Sequence, residues 1–460
     1  MLPNELFDET LQHLPPMHLK SVALASRRLH MLVQPFLFRE ARLFVHSLAP
    51  GEGRRLLGRA NEYDETMERI VFFTSHGVAR HVRVLHVWAQ NNREYDSQGD
   101  EGTHLPRDLL FSALPKFVRL QRLIAHAVIF SRSTLMKLAT VPRPFSLELD
   151  MCCFQVGPGD DPIALANTVR VSALKLEYIK APWSWLGVCK PEALRTIDWN
   201  ICELVDGEDS ESEKIVLPRV TTINMQFHSL EDLSESNWQL MKRCFPALQR
   251  LHITSAWKFD PEEEVLQAVP PLCPPLQHFG ALRELRTPCA MLPVLLPGSA
   301  INTLHITEDN ASDLLAVLQR VEKRIPSTIT TLTFNGVRQG KLDMWPALLL
   351  PFSSLQVLNC SGCFQPEEAE EPAVLTAQIS DFISGLPSLL PPSLTHLKFT
   401  LICPTPEGLT LPSLPTTQSL QTQLIERCAR LKQITVQLHP EVFLLEWTAG
   451  SAAGESDQST

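Results

Sequence analysis

Residues 82–87 read Val-Arg-Val-Leu-His-Val, and the placing of Val82, Leu85 and Val87 decides how most of the chain folds. Two apolar residues two positions apart, with an apolar anchor three positions before the first, describe a short strand with one buried face. The spacing returns all along the chain. It recurs at Leu120 and Leu123; at Val171, Leu174 and Leu176; at Leu194, Ile197 and Trp199; and at Val220, Ile223 and Met225. Further instances begin at Leu248, Leu282, Ile301, Ile329, Leu355, Leu394 and Leu431. Intervals of roughly 20–40 residues, uneven from one unit to the next, suit a stacked repeat array.

Between several strands lie amphipathic stretches at helical spacing, over 235–244, 312–324, 374–384 and 418–430. One strand followed by one helix resembles the leucine-rich repeat. That resemblance implies a solenoid whose parallel strands line a concave face and whose helices cover the convex one. The family's Asn after the second motif Leu is mostly missing, and Pro pairs such as Pro274-Pro275 and Pro391-Pro392 are expected to fix the turns instead. Ahead of the array, 41–45 reads as a strand and about 65–75 as a helix. The acidic runs 206–213 and 367–371 and the polar run 91–104 read as solvated loops.

The first 38 residues follow a different rule. Leu2-Pro3 opens a helix with Asn4, Glu5, Asp8 and Glu9 near its positive end and Leu6, Leu11 and Leu14 on its apolar side. Pro15-Pro16 stops it. A second apolar series, Leu19, Val22, Leu29, Leu32, Val33 and Phe36, bends at Ser26, which can cap a further helix, and is expected to end at Pro35. The order Leu-Pro-x-Glu-Leu, Leu14, Leu19, Val22, Ser-Arg-x-Leu and a closing aromatic resembles the F-box. The resemblance implies docking on a Skp-type adaptor, and through it a cullin ligase, by a surface that Leu2, Pro3, Leu6, Leu11, Leu14 and Leu19 shape. A competing reading has these helices cover the apolar end of the array, as terminal repeats must. His18 and Leu29, which depart from the F-box pattern, are its motive.

A net charge of -10 over 460 residues does not suit nucleic acid or an anionic membrane, and the run Arg54, Arg55, Arg59 is too short to alter that. Eleven Cys without framework spacing, and no cleavable leader ahead of the first helix, point to a reducing compartment, cytoplasmic and/or nuclear. No segment approaches the ~18 uninterrupted apolar residues of a spanning helix. Cys360-x-x-Cys363 has half of a zinc spacing and lacks the second pair. No phosphate loop, nucleophile elbow or His-Glu-x-x-His helix occurs. Catalytic residues, cofactors and metals are therefore not expected, and the chain reads as a non-enzyme.

Alternation along the strands aims the residues between the apolar ones away from the core. On that basis His86, Trp88, Arg250, His252, His305 and Lys398 stand on the candidate substrate-binding concave face, with His recurring at one equivalent position. The expected architecture is α/β: a helical F-box over 1–40, a linker with a capping strand and helix over 41–80, an irregular leucine-rich-repeat-like solenoid over 81–447, and a disordered tail over 448–460. The expected function is a substrate receptor that holds an unknown protein target for ubiquitin transfer. The alternative is a stand-alone repeat scaffold for protein interaction, in which the N-terminal helices only cap the solenoid.

Overall fold

The computed structural model describes residues 4–45, 60–89, 105–155, 166–179, 182–200, 215–227, 235–255, 279–307, 311–321, 325–339, 345–364, 372–402, 416–439 and 443–449. The chain divides into two compact units, Met1–Phe245 and Pro246–Thr460. Each carries its own buried ladder of apolar strand residues.

The first unit opens with three helices, α1 (Asn4–Gln12), α2 (Pro16–Ala25) and α3 (Arg27–Leu37). Leu11, Leu19 and Val33 form their small core, with Phe7, Leu14, Val22, Leu32 and Phe36 packed around it. Pro16 sits in the first turn of α2, where its missing amide removes no helical bond. Ser26 is extended and caps α3, its Oγ accepting from the Leu29 amide at 3.1 Å. Pro35, expected to end this helix, lies inside it. Its ring removes one amide within the last turn, and the Phe38 amide still donates to the Gln34 carbonyl at 3.0 Å, so a single bond near a terminus is lost. Leu2 and Pro3 lie outside the described residues.

Nine strands follow in this unit: β1 (Glu40–Val45), β2 (Val84–Ala89), β3 (Arg122–His126), β4 (Ile129–Ser131), β5 (Phe145–Asp150), β6 (Cys153–Gln155), β7 (Val171–Glu177), β8 (Thr196–Asn200) and β9 (Thr222–Phe227). The order β1-β2-β3-β5-β7-β8-β9 is parallel throughout. β4 and β6 make a separate parallel pair. The register sets Leu85, Leu123, Leu147, Leu174, Ile197 and Ile223 side by side, and all are buried. Aromatic rings fill the space beneath, with Phe130 edge-on to both Phe111 and Trp185 at 5.6 and 5.1 Å. β5 has no apolar anchor three residues before Leu147, because that position is Pro144.

In the second unit β10 (Arg250–Ser255), β11 (Glu284–Thr287), β12 (Thr303–Thr307), β13 (Thr331–Gln339), β14 (Val357–Phe364), β15 (His396–Ile402) and β16 (Gln433–His439) are parallel neighbours in chain order. The buried ladder here is Leu251, Leu285, Leu304, Leu332, Leu358, Leu397 and Ile434. Helices Ala311–Val321, Pro372–Leu389 and Thr417–Arg427 fall where helical spacing was read. The last strand, β17 (Phe443–Thr448), departs from the expected parallel array by running antiparallel to β16. Three residues separate the two strands, and a parallel return needs a dozen or more. Thr448, placed by the sequence in a disordered tail, closes this strand; residues from 450 onward lie outside the described residues.

The turns before the strands are held by main chain. The carbonyl of the residue just before a strand accepts two amides where the chain enters the next one: Gln249 O from Arg283 N and Glu284 N at 2.9 and 3.0 Å, and Asn302 O from Thr330 N and Thr331 N at 3.0 Å each. Thr330 O and Gln356 O repeat the arrangement. Pro274-Pro275 lies outside the described residues, and Pro391 contributes a turn by accepting from the Leu394 amide at 3.2 Å.

Truncating the ladder should be costly. Leu304→Ala and Leu332→Ala, in adjacent strands, are each expected to lower stability by about 2–5 kcal/mol in denaturant titrations, while Lys398→Ala stays within about 0.5 kcal/mol. Equal small effects at all three positions would contradict a buried ladder.

Candidate functional site

The residues between the ladder positions point away from the core and make one polar sheet face in each unit. In the first unit the face begins with an aromatic and acid cluster on β1 and β2. His86 Nε2 lies 2.9 Å from Glu40 Oε1, and Arg42 Nε lies 2.7 Å from the same oxygen. The His86 ring stacks on Trp88 at 5.1 Å and 13°, and Trp88 stacks against Phe44 at 5.3 Å and 24°. Phe44 leaves 51% of its surface exposed. Burial lowers the proton affinity of His86 below that of a free imidazole, although Glu40 pulls the other way.

Further along this face the charges pair off across neighbouring strands. Arg122 on β3 forms a two-pronged ion pair with Glu148 on β5, and His126 Nδ1 lies 2.7 Å from Asp150 Oδ2. Lys175 and Glu177 pair along β7 at 2.9 Å, and that hydrogen bond raises the Lys175 pKa. Asn224 donates to Asp198 from β9 to β8. Arg122 and Lys175 are thereby partly neutralised within the face.

The second unit's face is arranged differently. Glu284 on β11 lies between two histidines from the flanking strands, its Oε1 3.1 Å from His252 Nε2 and 3.7 Å from His305 Nε2. Burial lowers the His305 pKa below its ordinary 6.5, outweighing the Glu284 carboxylate, with His252 and Arg286 lowering it further. Arg286 shares a register row with both histidines, and Lys398 stands on that row three strands beyond His305.

Of the six residues read from sequence, then, His86 and Trp88 meet in the first unit, and His252 and His305 meet through Glu284 in the second. Arg250 pairs in register with Glu284. Spacing alone missed Glu40, Phe44, Arg122, His126, Glu148, Asp150 and Glu284. The period-2 alternation Phe145, Leu147, Leu149 was a signal for β5; the shortness of β11, Glu284–Thr287, left no comparable one for Glu284.

At the N-terminal helices Leu11 and Leu19 are buried and Leu14 is half-buried, so they shape the surface from below. Leu6 is exposed, as are three residues the sequence did not single out: Met17, Leu24 and Met31. A cavity of about 370 Å³ is lined by Glu9, Gln12, Pro35, Phe36, Arg39 and Arg83.

Cys152, Cys189 and Cys360 are buried packing groups. Burial pushes Cys152 and Cys189 up to about 12 and Cys360 well above its ordinary value, which disfavours the thiolate that nucleophilic attack or zinc binding needs. Among the described residues no group of three His, Cys, Asp or Glu side chains could hold a metal ion. No described helix is long and apolar enough to cross a membrane. No known family model and no curated protein matches the chain.

The partial burial of His305 has a consequence for pH. Its folded pKa lies below the unfolded value of about 6.5, so below that pH the unfolded chain binds more protons and stability falls on acidification; above it there is no contribution. His305→Gln should therefore lose less melting temperature than the parent chain between about pH 7.5 and 5.5. An equal or larger loss in the variant would contradict burial as the dominant influence on this ring.

Proposed function

We propose that this chain is the substrate-receptor subunit of a cullin-type ubiquitin ligase, with α1–α3 acting as an F-box that docks on a Skp-type adaptor and the repeated strands forming a divergent leucine-rich-repeat solenoid that holds a protein target. The observation that carries the reading is the contrast within the three helices. Their core is closed around Leu11, Leu19 and Val33, yet Leu6, Met17, Leu24 and Met31 are left 47–88% exposed. Met17 and Leu24 lie two turns apart on one side of α2. Leaving this much apolar surface in water carries a free-energy cost, and a partner's surface would remove it.

On this reading the chain supplies no transfer chemistry. It raises the effective concentration of the target's lysines near the ligase's catalytic machinery, which makes ubiquitin transfer quasi-intramolecular. The polar sheet faces, with Trp88 and Phe44 in one and Arg286 and Lys398 in the other, offer the aromatic and cationic residues that carry binding energy at protein interfaces.

A second reading, that the helices only cap the array, is favoured by one contact. Phe38, just after α3, packs edge-on against Phe72 and Phe73 of helix Ala60–Thr74 at 5.6 and 6.5 Å. Capping explains that contact and leaves Leu24 and Met31 without a purpose.

The two readings separate in one experiment. Full-length chain carrying Leu24→Asp and Met31→Asp should retain its melting temperature within a few degrees and lose adaptor capture by about 100-fold, since two desolvated apolar contacts are replaced by charges. Failure of the unsubstituted chain to hold the adaptor would sink the receptor reading. A stable, folded chain that never captures the adaptor but unfolds on Phe38→Ala would favour the cap.

A further inference from the structure

The row of outward residues that crosses the second unit is His252, Arg286, His305, Thr333, Asn359, Lys398 and Thr435 on β10 to β16 in turn. It contains no carboxylate. In a chain of net charge -10 that is an uneven distribution, because the corresponding row of the first unit carries Glu148 and Asp198 alongside Arg42 and Lys175. Arg286 and Lys398 are exposed, and neither has an ion-pair partner among the described residues. Glu284, on the neighbouring row, is engaged with His252 and His305. Between the two cations lies Thr333, 7% exposed, whose buried hydroxyl has no hydrogen-bond partner among the described residues.

We infer that this face binds an extended, acidic segment of a partner protein, laid across the strands with carboxylates on Arg286 and Lys398. The inference rests on the reading of the outward sheet face as the target-binding surface and adds the chemistry of what it takes. Four strand steps separate the two cations, and at roughly 4.8 Å per step they stand about 19 Å apart. An extended chain advances about 3.3 Å per residue, so carboxylates some six residues apart reach both. Intervening polar residues meet Asn359, which is half-buried. Two separated point charges, each on a flexible stem, suit spaced carboxylates more than they suit a compact polyanion. Such attraction weakens as salt rises, because the cations are exposed.

The test uses the full-length chain and a fluorescein-labelled peptide with two Glu six residues apart in a Ser/Thr background, read by anisotropy at low salt. Matched peptides carry Gln or phosphoserine at the two positions. The Glu peptide is expected to bind about ten-fold more tightly than the Gln peptide, and the variant with Arg286→Glu and Lys398→Glu, of unchanged melting temperature, should abolish that advantage. Carbodiimide coupling should join a peptide Glu to Lys398. Equal binding of the Glu and Gln peptides, no binding of either, or binding of the phosphoserine peptide alone would overturn the inference. A photoreactive Gln peptide tells which reading has failed. Labelling of β10–β16 outward residues without acid preference removes the acidic assignment alone, and labelling elsewhere removes the target-binding face as well.

Discussion

A carbonyl with two lone pairs, placed in the turn before each strand, sets the geometry on which the rest of the second unit depends. Arg283 O takes the Asn302 and Thr303 amides at 2.9 and 3.1 Å, and Gln356 O takes the Thr395 and His396 amides at 2.7 and 3.1 Å. Each such carbonyl satisfies two donors that would otherwise be left unpaired where the chain enters a strand. It also admits only one register. A slip of one residue would send Leu304 and Ile306 outward and His305 into the core, at the cost of a buried polar ring and two exposed aliphatic ones. Polar side chains reinforce the ladder in places, as when the Thr395 hydroxyl donates to Gln356 O at 2.9 Å. The last carbonyl, Lys432 O, is taken at 2.8 Å by the Ala449 amide, so the antiparallel strand β17 completes both the hydrogen bonding and the edge.

Because register is fixed by main chain, the outward face is free of structural duty and its side chains vary in character. In the first unit acids and bases alternate between neighbouring strands and partly neutralise one another, Arg122 with Glu148 and His126 with Asp150. Cross-strand pairs of this kind are worth only fractions of a kcal/mol each when exposed, so they affect what approaches the sheet more than whether it folds. Left-handed backbone recurs directly after three of these strands, at Ala127, Met151 and Tyr178. Each amide there donates to the end of the following strand, to Asp150 O, Glu177 O and Asn200 O. The strain of positive φ at residues with a Cβ is offset by closing that strand end.

Most of the parallel order was legible because burial writes a period of 2 into every strand, and the anchor three residues before the ladder Leu is buried in turn: Val82, Leu194, Ile301 and Leu394. What was not legible follows from the same physics. β5 lacks the anchor because Pro144 stands there, and Phe145 inside the strand takes up the burial instead. β17 reverses direction because a connection of three residues permits nothing else, which a repeat pattern does not encode. The turns are held by main-chain carbonyls, and every residue type has one. For the candidate site, alternation named His86, Trp88, His252 and His305 correctly as outward residues, while Glu284 depended on register between strands far apart in sequence. Pro35 shows the limit of a residue rule, since a proline in the last turn of a helix removes one bond that a terminus would lose to fraying.

The N-terminal helices pose the opposite problem to the sheet. Three helices of 9, 10 and 11 residues enclose few apolar side chains, and such short helices are marginal alone. Attachment through Phe38 to the helix Ala60–Thr74 adds burial at one end. If covering that end were their whole task, the surface left exposed would be free to become polar at no cost to packing. It has not: Leu24 and Met31 are among the most exposed large apolar residues described, at 88% and 71%. On the receptor reading proposed above, burial against a partner would give those residues a role that packing within the chain does not, and would tie affinity to the same small set of side chains that otherwise promote self-association.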